Sequence, residues 1–461
     1  MEFELVIRGG TVASVSGADR ADIGISDGRI EAIGNGLPVA PQEIDASGMV
    51  VAPGGIDVHT HFDMYIEYLE STNADDYESG TRAAAVGGIT TIINFATQER
   101  GKTLREAVER ETGCARGKAH IDDGFHVGVS DLKVPGTLDE LVPLADEGLA
   151  SVKIFTTLPN MLDGAGILRI LELTSRNGIL VNVHAEDDPL CKHLTRNFMS
   201  EGKTGVEYYP LARPPVSEAI ATARVAAYAR TIGAPVYFVH LSSKDALDEV
   251  RASRNKGGEV YVETRPAYLY LDETKYSLPD REGHKFTCLP PLRHIDNQQA
   301  LWEGLRNGEI QTYATDHAPW QLKQKLDPSR PFPWIPAGLP SVQTSIGMLY
   351  AEGVKKGRIS LGQFVAVTAT NPAKLFGMWP QKGSLLPGAD ADLVIIDPER
   401  RVRITAENIQ SNTDYDPFEG YEGVGWPVMT LSRGDLIARD GEVLSTPGRG
   451  RFLKRDRYQL I

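Results

Sequence analysis

The sequence predicts an α/β protein: a (β/α)8 barrel of the TIM type, with a small β-sandwich built from both chain ends. Three observations lead there. Short apolar runs alternate with helical stretches through the middle of the chain, strand-like segments parted by Gly and Asp turns occupy both ends, and half of the central runs finish in an ionisable residue. At 461 residues and 41% hydrophobic composition there is material for one large barrel and an addition.

The ends come first. Residues 3–8 alternate and stop at Gly9-Gly10, and further strands are expected at 22–26 and 29–33. Their counterparts lie at 392–397, 427–432, 434–439 and 441–444. Neither set is large enough for a core of its own, so residues 1–52 and 385–461 are expected to form one sandwich beside a barrel of residues 53–384. Residues 445–461, with Arg449, Arg451, Phe452, Leu453 and Tyr458, read as a tail that crosses to a neighbouring subunit.

In the middle, strand-like runs end at His59, Phe95, Val129, Ile154, His184, His240, Glu263 and Thr315. Helical stretches at 103–116, 163–177, 217–231, 243–255 and 296–307 separate most of them. An open doubly wound sheet is the alternative, but no Gly-x-Gly-x-x-Gly follows the first strand, and Gly34-Asn35-Gly36 lacks the rest of a dinucleotide fingerprint.

Charge and termini narrow the function. Forty-eight basic against 62 acidic residues leave a formal charge of -14, which repels phosphate backbones and argues against a nucleic-acid partner. The start Met1-Glu2-Phe3-Glu4-Leu5 is acidic where a signal peptide is basic, and no apolar run approaches membrane-spanning length, so a cytoplasmic protein without a membrane partner is expected. Cys114, Cys191 and Cys288 are too scattered for a disulfide framework or a Cys-x-x-Cys site.

Chemistry in such a barrel gathers at the C-terminal strand ends. The run Ala52-Pro53-Gly54-Gly55-Ile56-Asp57-Val58 leads into His59-Thr60-His61, whose two imidazoles point to one side because residues two apart on a strand share a face. Beyond them come Lys153, His184, His240 and Asp316, each at the end of an apolar run. Six such groups converging on one mouth need a shared partner of strong positive charge, and a divalent metal is that partner.

The motifs Pro53-Gly54-Gly55-Ile56-Asp57-Val58-His59-Thr60-His61-Phe62-Asp63-Met64, Gly87-Gly88-Ile89-Thr90-Thr91, Pro290-Pro291-Leu292-Arg293, Thr315-Asp316-His317, Asn371-Pro372-Ala373-Lys374-Leu375-Phe376-Gly377 and Gly388-Ala389-Asp390-Ala391-Asp392-Leu393 span nearly the whole chain. In them the sequence resembles the cyclic amidohydrolases of the hydantoinase and dihydropyrimidinase family. The resemblance implies a binuclear centre, usually zinc, with His59, His61 and Asp316 on the more buried metal, His184 and His240 on the outer one, and Lys153, carboxylated by carbon dioxide to N6-carboxylysine, bridging both. It implies Asp316 as the catalytic proton shuttle, a small-molecule cyclic amide, imide or ureide as substrate, and a homotetramer or homodimer. Allantoinase or dihydropyrimidinase activity, or a non-catalytic dihydropyrimidinase-related assembly protein, are the alternatives; retention of every ligand speaks against the last.

Three positions depart from the family pattern. D-selective hydantoinases and dihydropyrimidinases carry a tyrosine five residues after the bridging lysine, whose hydroxyl stabilises the oxyanion, and here Leu158 stands there. Leu289 replaces the serine before Pro-Pro-Leu-Arg, and Ala337 replaces an asparagine of the substrate-gripping loop. Thr156 or Thr157 is then expected to supply the lost donor, or the metal to polarise the carbonyl alone. Phe62-Asp63-Met64-Tyr65 stands where dihydroorotases place a carboxylate-clamping arginine. Tyr65, Tyr68, Met161, Trp320 and Trp334 suggest an apolar pocket for a ring substituent.

Overall fold

The computed structural model describes residues 2–461, leaving aside the side chain of Tyr68. Eight parallel strands form the barrel: β1 Gly55–Asp57, β2 Ile89–Thr97, β3 Asp122–Gly128, β4 Ser151–Phe155, β5 Leu180–His184, β6 Val236–Phe238, β7 Val260–Thr264 and β8 Thr312–Tyr313. Each pairs with the next, and a parallel bridge between Thr60 and His317 joins the chain beyond β8 to that beyond β1. Every residue of β3, β5 and β7 is buried, which explains the unbroken apolar runs: parallel strands are covered on both faces. Asp57, buried at the end of β1, accepts hydrogen bonds from the His59 and Thr315 amides at 3.1 Å and so ties the first strand to the last.

The five stretches read as helices are Leu104–Ala115, Gly164–Arg176, Pro215–Ile232, Lys244–Arg254 and Asp296–Arg306. Their starts follow local chemistry. Thr103 and Glu106 form a reciprocal capping box, while Asp163 and Ser243 each accept a backbone N–H of the first turn.

Nine strands from the two chain ends join into one mixed sheet. The seam between the halves is Val50–Pro53, antiparallel to Leu393–Arg403 with Pro53 opposite Leu393. Ile7, Ile23 and Ile25 share a core with Leu393, Ile395 and Leu431, so each half covers apolar surface that the other exposes.

The C-terminal tail packs on its own subunit. It lies across the N-terminal end of its own barrel: Phe452 bridges to Asp123, and the Asp456 and Gln459 amides donate to the Gly377 and Lys374 carbonyls at 2.9 and 2.8 Å. Arg455, 3% exposed, reaches Ser151 Oγ at 3.0 Å and the Phe125 carbonyl at 2.5 Å. Gly377, at φ +70°, is required there, because a β-carbon would stand 1.8 Å from the Asp456 carbonyl oxygen.

Candidate metal and catalytic centre

All six predicted ligands meet at the C-terminal rim. His59 and His61 follow β1, Lys153 lies within β4, His184 ends β5, His240 follows β6 and Asp316 follows β8. His59, Lys153, His184, His240 and Asp316 are buried, and His61 is half-buried. His240 and Asp316 hold left-handed backbones at φ +38° and +49°, a conformation that residues with a β-carbon adopt only where the surroundings impose it.

Two sub-clusters share the rim. His59 Nε2 and His61 Nε2 lie 3.3 and 3.2 Å from the same Asp316 oxygen, Oδ1. His184 Nδ1 faces His240 Nε2 at 2.9 Å. His59 belongs to both, since its ligating atom, one of His240 and one of Asp316 lie within 4.8 Å of one another. Burial pushes His59 and His240 well below the ordinary imidazole range, so both are neutral with a free lone pair. For Asp316, burial alone would raise the carboxyl, but Arg265, His59 and His61 reverse this and keep it ionised.

A second layer, absent from the sequence reading, turns these rings. Glu263, at the rim end of β7, accepts His59 Nδ1 and the His240 amide, each at 2.7 Å, and the Tyr237 hydroxyl at 2.8 Å. As acceptor it fixes the proton of His59 on Nδ1 and leaves Nε2 free to ligate. Glu186 does the same for His184, taking Nε2 at 2.8 Å while Arg213 holds the same oxygen at 2.7 Å. The available signal was that the β7 run ends on a charged residue, as the ligand-bearing runs do.

Lys153 tests whether a metal pair fits. It is 1% exposed, yet among the described residues its Nζ makes no hydrogen bond or ion pair; it lies over the rings of Phe95 and Phe155, 5.0 and 5.2 Å from their centroids. Burial brings its pKa down to about 7. A buried, unpaired amine among converging nitrogen lone pairs and a carboxylate is a donor set without its acceptor, and a divalent metal pair completes it.

The substrate positions divide. Leu158, half-buried in the loop after β4, has φ +72°. Both neighbouring threonines are otherwise engaged: Thr156 donates to the His184 and Glu186 carbonyls at 3.1 and 2.7 Å, and Thr157 to Asp188 at 3.1 Å. Leu289 and Ala337 are half-buried, and the Ala337 carbonyl already accepts the Trp320 indole at 3.0 Å. Trp320 is fully buried and belongs to the packing, whereas Tyr65, Met161 and Trp334 are exposed; the Tyr68 side chain lies outside the described residues. Asp63 faces the Tyr77 amide at 3.3 Å.

Residues 50–437 match the model of the amidohydrolase family. The chain belongs to that family. This amidohydrolase is 42% identical over 460 residues to the D-hydantoinase of Ralstonia pickettii, an alignment covering 99% of this chain and 100% of that one. It is 41% identical over 461 residues to the D-hydantoinase of Geobacillus stearothermophilus, covering 99% and 97%. Among solved structures, a dihydropyrimidinase from Brevibacillus agri superposes with a TM-score of 0.96 at 41% identity, covering 98% of this chain and 99% of that one.

Proposed function

We propose that this amidohydrolase is a hydantoinase-like enzyme that hydrolyses a cyclic amide, imide or ureide to the open-chain acid. The observation that carries the reading is the buried, unpaired Lys153 among the imidazoles of His59, His61, His184 and His240 and the carboxylate of Asp316. His59, His61 and Asp316 would hold one divalent cation and His184 and His240 the other, zinc in each case, with Lys153 as N6-carboxylysine bridging them. An ammonium has no lone pair to offer a cation, while a carbamate shares one negative charge between two oxygens. Bound there, the cations would lower the pKa of a shared water and polarise the scissile carbonyl.

The chain's own residues do the rest. Glu263 and Glu186 hold the imidazoles in their ligating tautomers. Asp316 takes the proton released as the carbonyl is attacked and passes it to the leaving ring nitrogen. Leu158, Leu289 and Ala337 border the ring, and the exposed Tyr65, Met161 and Trp334 offer apolar surface for a substituent. Allantoinase or dihydropyrimidinase activity remains the alternative substrate choice; a purely structural role fits poorly with a complete ligand set. The same reading makes the protein a cytoplasmic homotetramer or homodimer. Among the described residues no helix is long and apolar enough to cross a membrane.

Metal analysis with a panel of cyclic ureides tests this. Close to two divalent ions per chain and ring opening of 5-alkyl or 5-aryl hydantoins are expected; a metal-replete protein that opens none of the panel would overturn it.

A further inference from the structure

The position of Leu158 leaves the reaction short of a donor, and another residue has donors to spare. Arg265 follows β7 directly and is 1% exposed. Its Nη1 donates to Asp316 Oδ2, and its guanidinium stacks on the Tyr268 ring, 4.5 Å from the centroid. Its Nε and Nη2 are buried and have no hydrogen-bond partner among the described residues. These two atoms form the parallel fork with which arginine grips paired oxygens, and buried donors are seldom left open unless something completes them.

Several buried donors near it are committed. Lys325 Nζ donates to the Thr287 carbonyl and hydroxyl at 2.7 and 3.0 Å, and the Tyr268 hydroxyl to the Pro290 carbonyl at 2.7 Å. The Tyr237 hydroxyl is held by Glu263, and Thr156 and Thr157 are occupied as described above. We propose that Arg265 supplies, from the rim beyond β7, the oxyanion donor that Leu158 does not supply from the loop beyond β4. The inference rests on the hydrolase reading and names the residue that stabilises its transition state.

The step balances. The oxygen of water bonds to the carbonyl carbon, and the π electrons move onto the carbonyl oxygen, the atom to which the Arg265 fork donates. They then reform the double bond as the C–N bond breaks. That bonding pair leaves with the ring nitrogen, which takes the proton carried by Asp316. The pairing of Nη1 with Asp316 places the fork beside the group that moves the proton, so one side chain would orient the shuttle and meet the developing charge.

The test uses the metal-loaded protein and a cyclic ureide that the wild type opens. Arg265→Gln is expected to keep its metals and melting temperature and to lose about 10²–10³-fold in kcat, with KM changed little, because the donor acts on the transition state more than on bound substrate. Added guanidinium ion is expected to restore part of the rate of Arg265→Gly, which a purely structural role would not allow. Arg265→Lys keeps the charge and loses the fork, so an intermediate rate is expected; it decides the matter if the other variants do not fold. Unchanged kcat in Arg265→Gln, a loss of rate that follows loss of metal, or a fully active Arg265→Lys would overturn the proposal. A wild type that opens no ring would defeat the hydrolase reading and this inference together, whereas an active wild type with an indifferent Arg265 defeats this inference alone.

Discussion

Two buried lysines at opposite ends of the barrel have opposite surroundings. Lys382, near the N-terminal end, sits among Asp122, Asp390 and Asp392 with Nζ–O distances of 2.6, 2.9 and 2.7 Å, and Asp122 is held in turn by Arg433. Lys153, near the C-terminal end, is as deeply buried and has none of this. Matching the charge makes Lys382 a clasp between the barrel and the sheet from the chain ends. Leaving it unmatched makes Lys153 costly in the bare protein and available to a ligand. The two ends of one barrel thus separate cohesion from chemistry.

The largest effects should come from exchanging these roles. Lys153→Ala is expected to lose most of its metal, measured by elemental analysis, and to fall in turnover by about 10³-fold or more, with little loss of folding stability. Short-chain carboxylic acids should restore part of the activity. Lys382→Met is expected to show the reverse pattern: three buried carboxylates lose their cation, stability in urea falls by about 3–5 kcal/mol, and kcat per folded molecule is retained. If Lys382→Met lost activity without losing stability, the division between the two ends would fail. Asp316→Asn should fold and keep metal weakly while kcat drops about 10²–10⁴-fold; retention of more than about a tenth of the rate would remove it as the shuttle.

An exception at the N-terminal end sharpens the comparison. Asp123 is buried, its Oδ1 has no partner among the described residues, and burial pushes its carboxyl up to about 7. A carboxyl with a folded pKa above its unfolded value favours folding when protonated, so its contribution is full below about pH 4 and is lost as pH rises towards 7. Asp123→Asn is therefore expected to be more stable than wild type above pH 7, by on the order of 1–3 kcal/mol, and to show no advantage at pH 4. Thermal melts across that range would check both arms.

Much of this was legible because barrel strands are local signals. An apolar run that stops at a histidine, lysine or aspartate marks both a strand and the rim on which it ends, and Leu104–Ala115 sits inside the stretch 103–116 read from periodicity. Glu263 was named as a strand end and then passed over, because its bond to His59 spans 204 positions and nothing local announces it. Arg265 lay one residue outside its strand, and its meaning depends on which of its donors are already used, a property of packing alone. The docking of the tail was equally hidden: the parallel bridge from Phe452 to Asp123 joins positions far apart in the chain, and nothing local announces it.

The smallest predicted effect concerns the rim itself. Leu158→Tyr returns a hydroxyl to the loop after β4 and is expected to raise activity on dihydrouracil or unsubstituted hydantoin relative to bulky ureides by a few-fold, since each methylene buried in an apolar pocket is worth about 0.8 kcal/mol. A wild type already fastest on dihydrouracil would show that Leu158 does not set the preference.

The seam between Pro53 and Leu393 has a consequence for synthesis. The first half of the mixed sheet leaves the ribosome with one strand edge open, and its partner strand is translated 340 residues later. At about 5–20 residues per second that interval is roughly 20–70 s, during which Val50–Pro53 presents unpaired backbone groups to any neighbour. Nascent chains halted before Leu393 should associate with one another or recruit chaperones, whereas chains released after Ser432 hold both halves of the shared core and should stay apart.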